Sequence, residues 1–126
     1  MTKTGLATAL MIGVLSLSGC MVISETGLQH DQAQYDGKQR EQQNRNKIAA
    51  LPMALSAEEV RQRLGTPDFN DRWQGENRNI QVLYYRTHRL HSDGNTTRDE
   101  CTPLVFINNE LVGTGQLALD RVEKSR

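Results

Sequence analysis

The sequence has no apolar run long enough to cross a membrane. Its longest, Leu6–Leu17, is twelve residues interrupted by Thr8, Gly13 and Ser16. As a helix rising 1.5 Å per residue it would reach about 18 Å, against a hydrocarbon core of about 30 Å. Nor is there an excess of charge. Fifteen basic residues stand against fifteen acidic ones, leaving no basic surplus for nucleic acid and no acidic tail. No stretch repeats another, which excludes solenoid and propeller architectures. Cysteine is scarce as well. Cys20 and Cys101 are the only two, too few for the disulfide framework that holds small secreted domains together.

What is present begins at the amino end. Lys3 precedes the short apolar run, and Leu17-Ser18-Gly19-Cys20 closes it. The run has the length of a signal-peptide h-region, and the small residues before a cysteine resemble a bacterial lipobox. That resemblance implies cleavage before Cys20, a diacylglycerol on its sulfur and an acylated amino terminus. Two such lipid signals suffice for stable membrane attachment. Met21 rather than aspartate follows Cys20, which for lipoproteins of this kind implies the periplasm-facing leaflet of the outer membrane. Removing residues 1–19 leaves 107 residues with 14 basic and 15 acidic side chains, enough for one domain and a tail. With Cys20 lipidated, Cys101 is the one remaining thiol.

Residues 24–47 are dense in Gln and Asn and poor in apolar side chains. Such a segment buries too little surface to offset its ordering entropy, and residues 20–47 read as a lipidated start and polar tether, gaining helix near Lys38–Ala50. A domain over residues 48–116 follows. Ser56-Ala57-Glu58-Glu59 fits a capping box, with Leu55 and Val60 as a hydrophobic staple, and Gly65 then Pro67 end a helix over about Ala57–Leu64. Phe69 and Trp73 flank a turn-like stretch ending at Gly75-Glu76-Asn77. The β-branched and aromatic run Ile80–Arg89 predicts a strand, His91–Asn95 a loop with Asp-Gly turn chemistry, and Thr102–Ile107 a second strand. Asn108-Asn109 is a two-residue turn into a third, Glu110–Gly113. Residues 117–126 form a polar tail in which Leu117, Leu119 and Val122 would support a helical turn. The expected fold is α+β: two helices packed on a three-stranded antiparallel sheet in two layers. Both central strands are apolar in both phases, whereas a sheet covered on one side should alternate. Either the tether or the tail covers the outer face, or that face is a docking surface.

The run Leu55–Val60, then Leu64-Gly65-Thr66-Pro67-Asp68, Tyr84-Tyr85-Arg86 and Leu104–Asn108 resembles the small outer-membrane lipoproteins of the BamE (SmpA/OmlA) type. The similarity spans most of the chain after the lipobox and implies a lipobox, a polar tether and a helix–helix–three-strand domain. Tyr85-Arg86-Thr87-His88-Arg89 through Asp99–Phe106 is more similar still to an uncharacterised lipoprotein family of Gram-negative bacteria. No molecular function comes with that likeness.

Chemistry is sparse. His88, His91, Asp93, Asp99, Glu100 and Cys101 crowd together, but positions 88 and 91 of a strand point to opposite faces and no standard zinc spacing is present. They read as a solvated hairpin tip, paired with Arg89 and Arg98, with no metal and no cofactor. Cys101 sits beside Asp99 and Glu100, whose charge raises a thiol pKa, and reads as a small buried hydrophobe. Ser56 is a cap rather than a nucleophile, with no elbow motif around it. Arg86, His88 and Arg89 suit either a solvated strand edge or anionic headgroups. With Tyr84 and Phe106 they form the expected partner-contact set, since aromatics beside arginine build protein interfaces. The expectation is a non-enzymatic, lipid-anchored envelope protein that grips a protein partner with its outer sheet face and the Arg86–Cys101 hairpin. An inhibitor or ligand-binding module using residues 91–100 is the alternative, and a thiol enzyme built on Cys101 and His88 the third.

Overall fold

A computed structural model describes residues 25–126, with side chains from Tyr35 onward. The expected signal segment and the expected lipidation site Cys20 lie outside the described residues. Three helices and four strands follow in the order α1 (Glu25–Ala49), α2 (Ala57–Leu64), β1 (Phe69–Gly75), β2 (Arg78–Arg86), β3 (Cys101–Ile107), β4 (Glu110–Thr114) and α3 (Gln116–Glu123), with a short 3₁₀ turn at Arg98–Glu100 before β3. The α+β class is as expected. The sheet, however, has four strands rather than three, and three helices rather than two pack around it.

The sheet is an antiparallel meander, β1-β2-β3-β4. Trp73 pairs with Ile80, Val82 with Val105 and Phe106 with Leu111. The β3–β4 turn forms at Asn108-Asn109, both with positive φ, 50° and 65°, as a two-residue hairpin requires. β1 is the strand the sequence hid. Its Asn, Asp and Gly look like turn residues, yet its burial alternates strictly along Phe69–Gly75. An edge strand needs only one inward phase, here Phe69 and Trp73, packed beside the buried Ile80, Val82 and Tyr84.

The apolar double phase of the central strands has a direct cause: both faces of the sheet are covered. Leu83, Tyr85, Leu104, Phe106 and Leu111 pack with Ala57 and Val60 of α2, flanked by Ile48, Leu51, Leu55 and Leu64. Ile80, Val82, Tyr84, Cys101 and Val105 pack with Leu119 and Val122 of α3. The polar tail is therefore a helix, and the outer face is core rather than a docking surface. Gly113 lets that helix sit close, because a Cβ there would come within 2.8 Å of the Ala118 Cβ.

α2 forms where its local signals put it. Ser56 accepts from the Glu59 N–H at 3.1 Å and donates its own N–H to the Glu59 carboxylate at 2.7 Å. Gly65 closes the helix at φ 86°, and the Tyr85 hydroxyl donates to the Gly65 carbonyl at 2.8 Å. Burial pushes the Tyr85 phenol up to about 12.

α1 runs through the segment expected to be a tether, and the boundary drawn at residue 47 falls within its last turn. Gln, Glu, Lys, Arg and Ala are good helix formers, and no proline intervenes until Pro52. Among its described side chains only Ile48 joins the apolar core. Polar side chains dock the rest, and they lead to the site described next.

Candidate functional site

β2 ends at Arg86, and the chain leaves the sheet for a long connection to β3. Arg86 is 7 % exposed, and its guanidinium lies between two elements distant in sequence. Its Nε donates to Glu41 Oε1 of α1 at 3.0 Å, its Nη1 donates to Thr96 Oγ1 at 2.8 Å, and its Nη2 lies 3.6 Å from Glu100 Oε2. Its backbone is held too. The Arg86 N–H donates to Asp68 Oδ2 at 2.8 Å and its carbonyl accepts from Asn44 Nδ2 at 2.7 Å. Glu41 and Asn44 are one helical turn apart and share a face, and both are buried. Arg40 pairs with Asp68, and Arg45 donates to the Thr87 carbonyl. One arginine thus ties α1, the entry to β1, the end of β2 and the connecting loop together.

Glu100 is the second centre. Its side chain is fully buried. Oε1 accepts from the N–H groups of both Leu90 and His91 at 2.9 Å, while the Glu100 carbonyl accepts from Thr87 and His88 at 3.0 and 3.2 Å. The His91 N–H, helped by that of Leu90 and by the Arg86 charge, holds the carboxyl below its ordinary value against the opposing cost of burial. The hairpin tip is solvated at residues 91–95 as expected, while the base of the loop is pinned from inside by a carboxylate. Sequence reading missed Glu100 because a glutamate between Asp99 and Cys101 has the look of a surface residue, and its partners come from the far side of the loop.

The residues expected to form one contact patch do not share a surface. Phe106 is fully buried beneath α2, and Tyr84, 5 % exposed, is buried on the opposite face of the sheet. Arg86 is taken by its carboxylates. Of that set, His88 is exposed and Arg89 half-buried. The exposed apolar side chain of this loop is Leu90, 57 % accessible. Arg98 reaches across to Asp71 at 2.8 Å and lies 4.7 Å over the Phe69 ring, so it guards the β1 edge rather than the hairpin tip.

Cys101 and His88 do not meet as nucleophile and base. The thiol donates to the Thr97 carbonyl at 3.4 Å, and His88 Nδ1 lies 3.1 Å from Thr87 Oγ1. Burial first, then the Asp68 charge, pushes the Cys101 thiol up to about 12. Among the described residues no three His, Cys, Asp or Glu side chains converge as metal ligands. His91 lies 3.5 Å from Asp99, and both are exposed. No described helix is long and apolar enough to cross a membrane. What this arrangement can do is hold a loop rigidly, with His88 and Leu90 on its outside.

The model of one protein family, described as a protein of unknown function (DUF3192), matches residues 18–121. No curated protein and no solved structure matches the chain.

Proposed function

The chain belongs to the DUF3192 family of unknown function, and within that family we propose that this member is a lipid-anchored, periplasm-facing protein of the outer membrane. It serves as a non-enzymatic docking module in envelope assembly or maintenance. The anchor is Cys20, argued from the run Leu17-Ser18-Gly19-Cys20 behind its short apolar segment. α1 begins five residues later and its 25 residues span about 37 Å at 1.5 Å each, so the tether is a rod rather than a slack coil. The BamE-type resemblance supports the same address and the same non-catalytic role.

The observation that carries the docking role is the inward use of Glu100. A protein that buries a carboxylate to pin two consecutive loop N–H groups, at 2.9 Å each, has fixed the outward face of that loop before any partner arrives. Fixing a loop in advance lowers the ordering cost of binding. The contact surface is then the loop around His88, Leu90 and His91 rather than the sheet face. Photocrosslinking amino acids placed at His88 or Leu90 in cells should capture one discrete envelope protein, and the same probe at exposed Gln62 on α2 should not. Equal, diffuse capture from all three positions would contradict the reading.

The inhibitor alternative uses the same loop. It is favoured if the loop of residues 91–100, held by the buried Glu100, plugs the cleft of a purified periplasmic enzyme and stops its turnover.

A further inference from the structure

A second site lies away from that loop. α2 covers only part of the sheet face beneath it, and beyond it the outward phase of β1 and β2 lies open. An open surface concavity of ≈ 620 Å³ occupies this space, lined by Arg72, Gln74, Asn79, Gln81, Asn108 and Asn109 together with Trp73 and Ile80. That volume suits a small organic molecule.

Its chemistry is one-sided. At its edge the Gln81 amide, turned so that its oxygen faces them, accepts from Arg72 Nε at 3.1 Å, Arg72 Nη2 at 3.0 Å and Arg61 Nη2 at 3.3 Å, and the same oxygen lies 3.0 Å from the Asn70 side-chain amide, which turns with it to donate. Two guanidinium groups, one from β1 and one from α2, therefore converge on a single neutral oxygen. The carboxylate nearest Arg61, that of Glu58, is 4.0 Å away and exposed. Among the described residues Arg72 forms no ion pair, and no carboxylate lines the cavity. The amides add donors. Asn108 Oδ1 accepts from the Asn79 N–H at 3.0 Å, and Asn109 Oδ1 accepts from the Ala57 N–H at 3.2 Å. A backbone N–H demands an acceptor, so these bonds fix both amides and commit their oxygens, leaving the two Nδ2 groups free to donate.

The geometry points to an oxyanion site that takes an organic phosphate monoester, its phosphate held by Arg72 and Arg61 and by the Asn108 and Asn109 amides. Two convergent cations match a group carrying about −1.5 to −2 charges at pH 7 better than a single carboxylate. Planar guanidinium donors fit its oxygens bidentately. The cavity is several times larger than inorganic phosphate, so the remainder holds the esterified group. This site is independent of the docking role proposed above.

The test is calorimetric titration of the full chain in detergent with four probes: glucose 6-phosphate, short-chain dihexanoyl phosphatidic acid, inorganic phosphate and glucose. At least one ester should bind saturably, more tightly than inorganic phosphate, and glucose should not bind. Binding of the sugar ester alone assigns the phosphate to a soluble metabolite, binding of the phosphatidic acid alone to a lipid headgroup, and binding of both to the phosphate itself. Arg72→Ala should weaken binding about tenfold or more. Asn109→Asp keeps the acceptor for the Ala57 N–H and turns the free donor into a negative oxygen. It should abolish binding while the thermal melt stays unchanged. If neither ester binds, if inorganic phosphate binds as tightly as the esters, or if both variants bind like the parent chain, the site is not there.

Discussion

Arg86 is the residue on which the most contacts depend. It stands between Glu41 and Glu100 with its side chain 8 % exposed, so removing it leaves two buried carboxylates without a countercharge. Breaking a buried pair from one side costs about 3–5 kcal/mol. Arg86→Ala should lose that much in urea unfolding, seen as a lower midpoint. Glu41→Ala should cost less, because Arg86 keeps Thr96 and Glu100. Equal losses from the two variants would mean that the α1 contact alone sets the energetics. Glu100 gives a pH signature whose sign follows from its lowered pKa. Its unfolded carboxyl titrates near 4.5 and its folded one lower, so the stability it contributes is complete above 4.5 and drains away as pH falls through the folded value. Glu100→Gln should flatten that acid limb in a series of urea midpoints against pH. An unchanged acid limb would place the titration elsewhere.

At the scale of elements, legibility followed the range of the interactions. α2 was readable because Ser56, Glu59 and Gly65 settle its ends within ten residues of sequence. The β3–β4 turn was readable because two asparagines suit positive φ. The doubled apolar phase of β2 and β3 was visible too, but not which segment covers it, since α3 mixes Leu117, Ala118, Leu119 and Val122 with four polar side chains and buries only Leu119 and Val122. β1 was hidden by turn-like residues on an edge that buries only alternate positions. α1 was read as helix only near Lys38–Ala50, because apolar content is a poor guide to a helix that docks through buried polar groups. The Glu41–Arg86 bond spans 45 residues, and no local pattern announces it. Gly113 tests the α3 packing. A methyl there meets the Ala118 Cβ at 2.8 Å, between a strand and the helix packed on it. Gly113→Ala should cost about 1–3 kcal/mol as overpacking and expose the face under α3 to a hydrophobic dye. A neutral Gly113→Ala would show that α3 moves freely on the sheet.

For the whole molecule, the groups that sequence suggested as reactive are spent on structure. Cys101 is buried and its thiol pushed up to about 12, Glu100 pins a loop, and Ser56 caps a helix. What faces outward is a stiff loop at one end and a donor-lined cavity beside α2, on a domain welded to a polar helix that leads back toward Cys20. The anchor proposed at Cys20 would keep that surface near a bilayer. The most direct test is metabolic labelling of cells expressing the full chain with radioactive palmitate, followed by membrane fractionation. The label should travel with the protein into the outer-membrane fraction and vanish in Cys20→Ser. An intact, unlabelled protein recovered from the soluble periplasm would contradict the proposal.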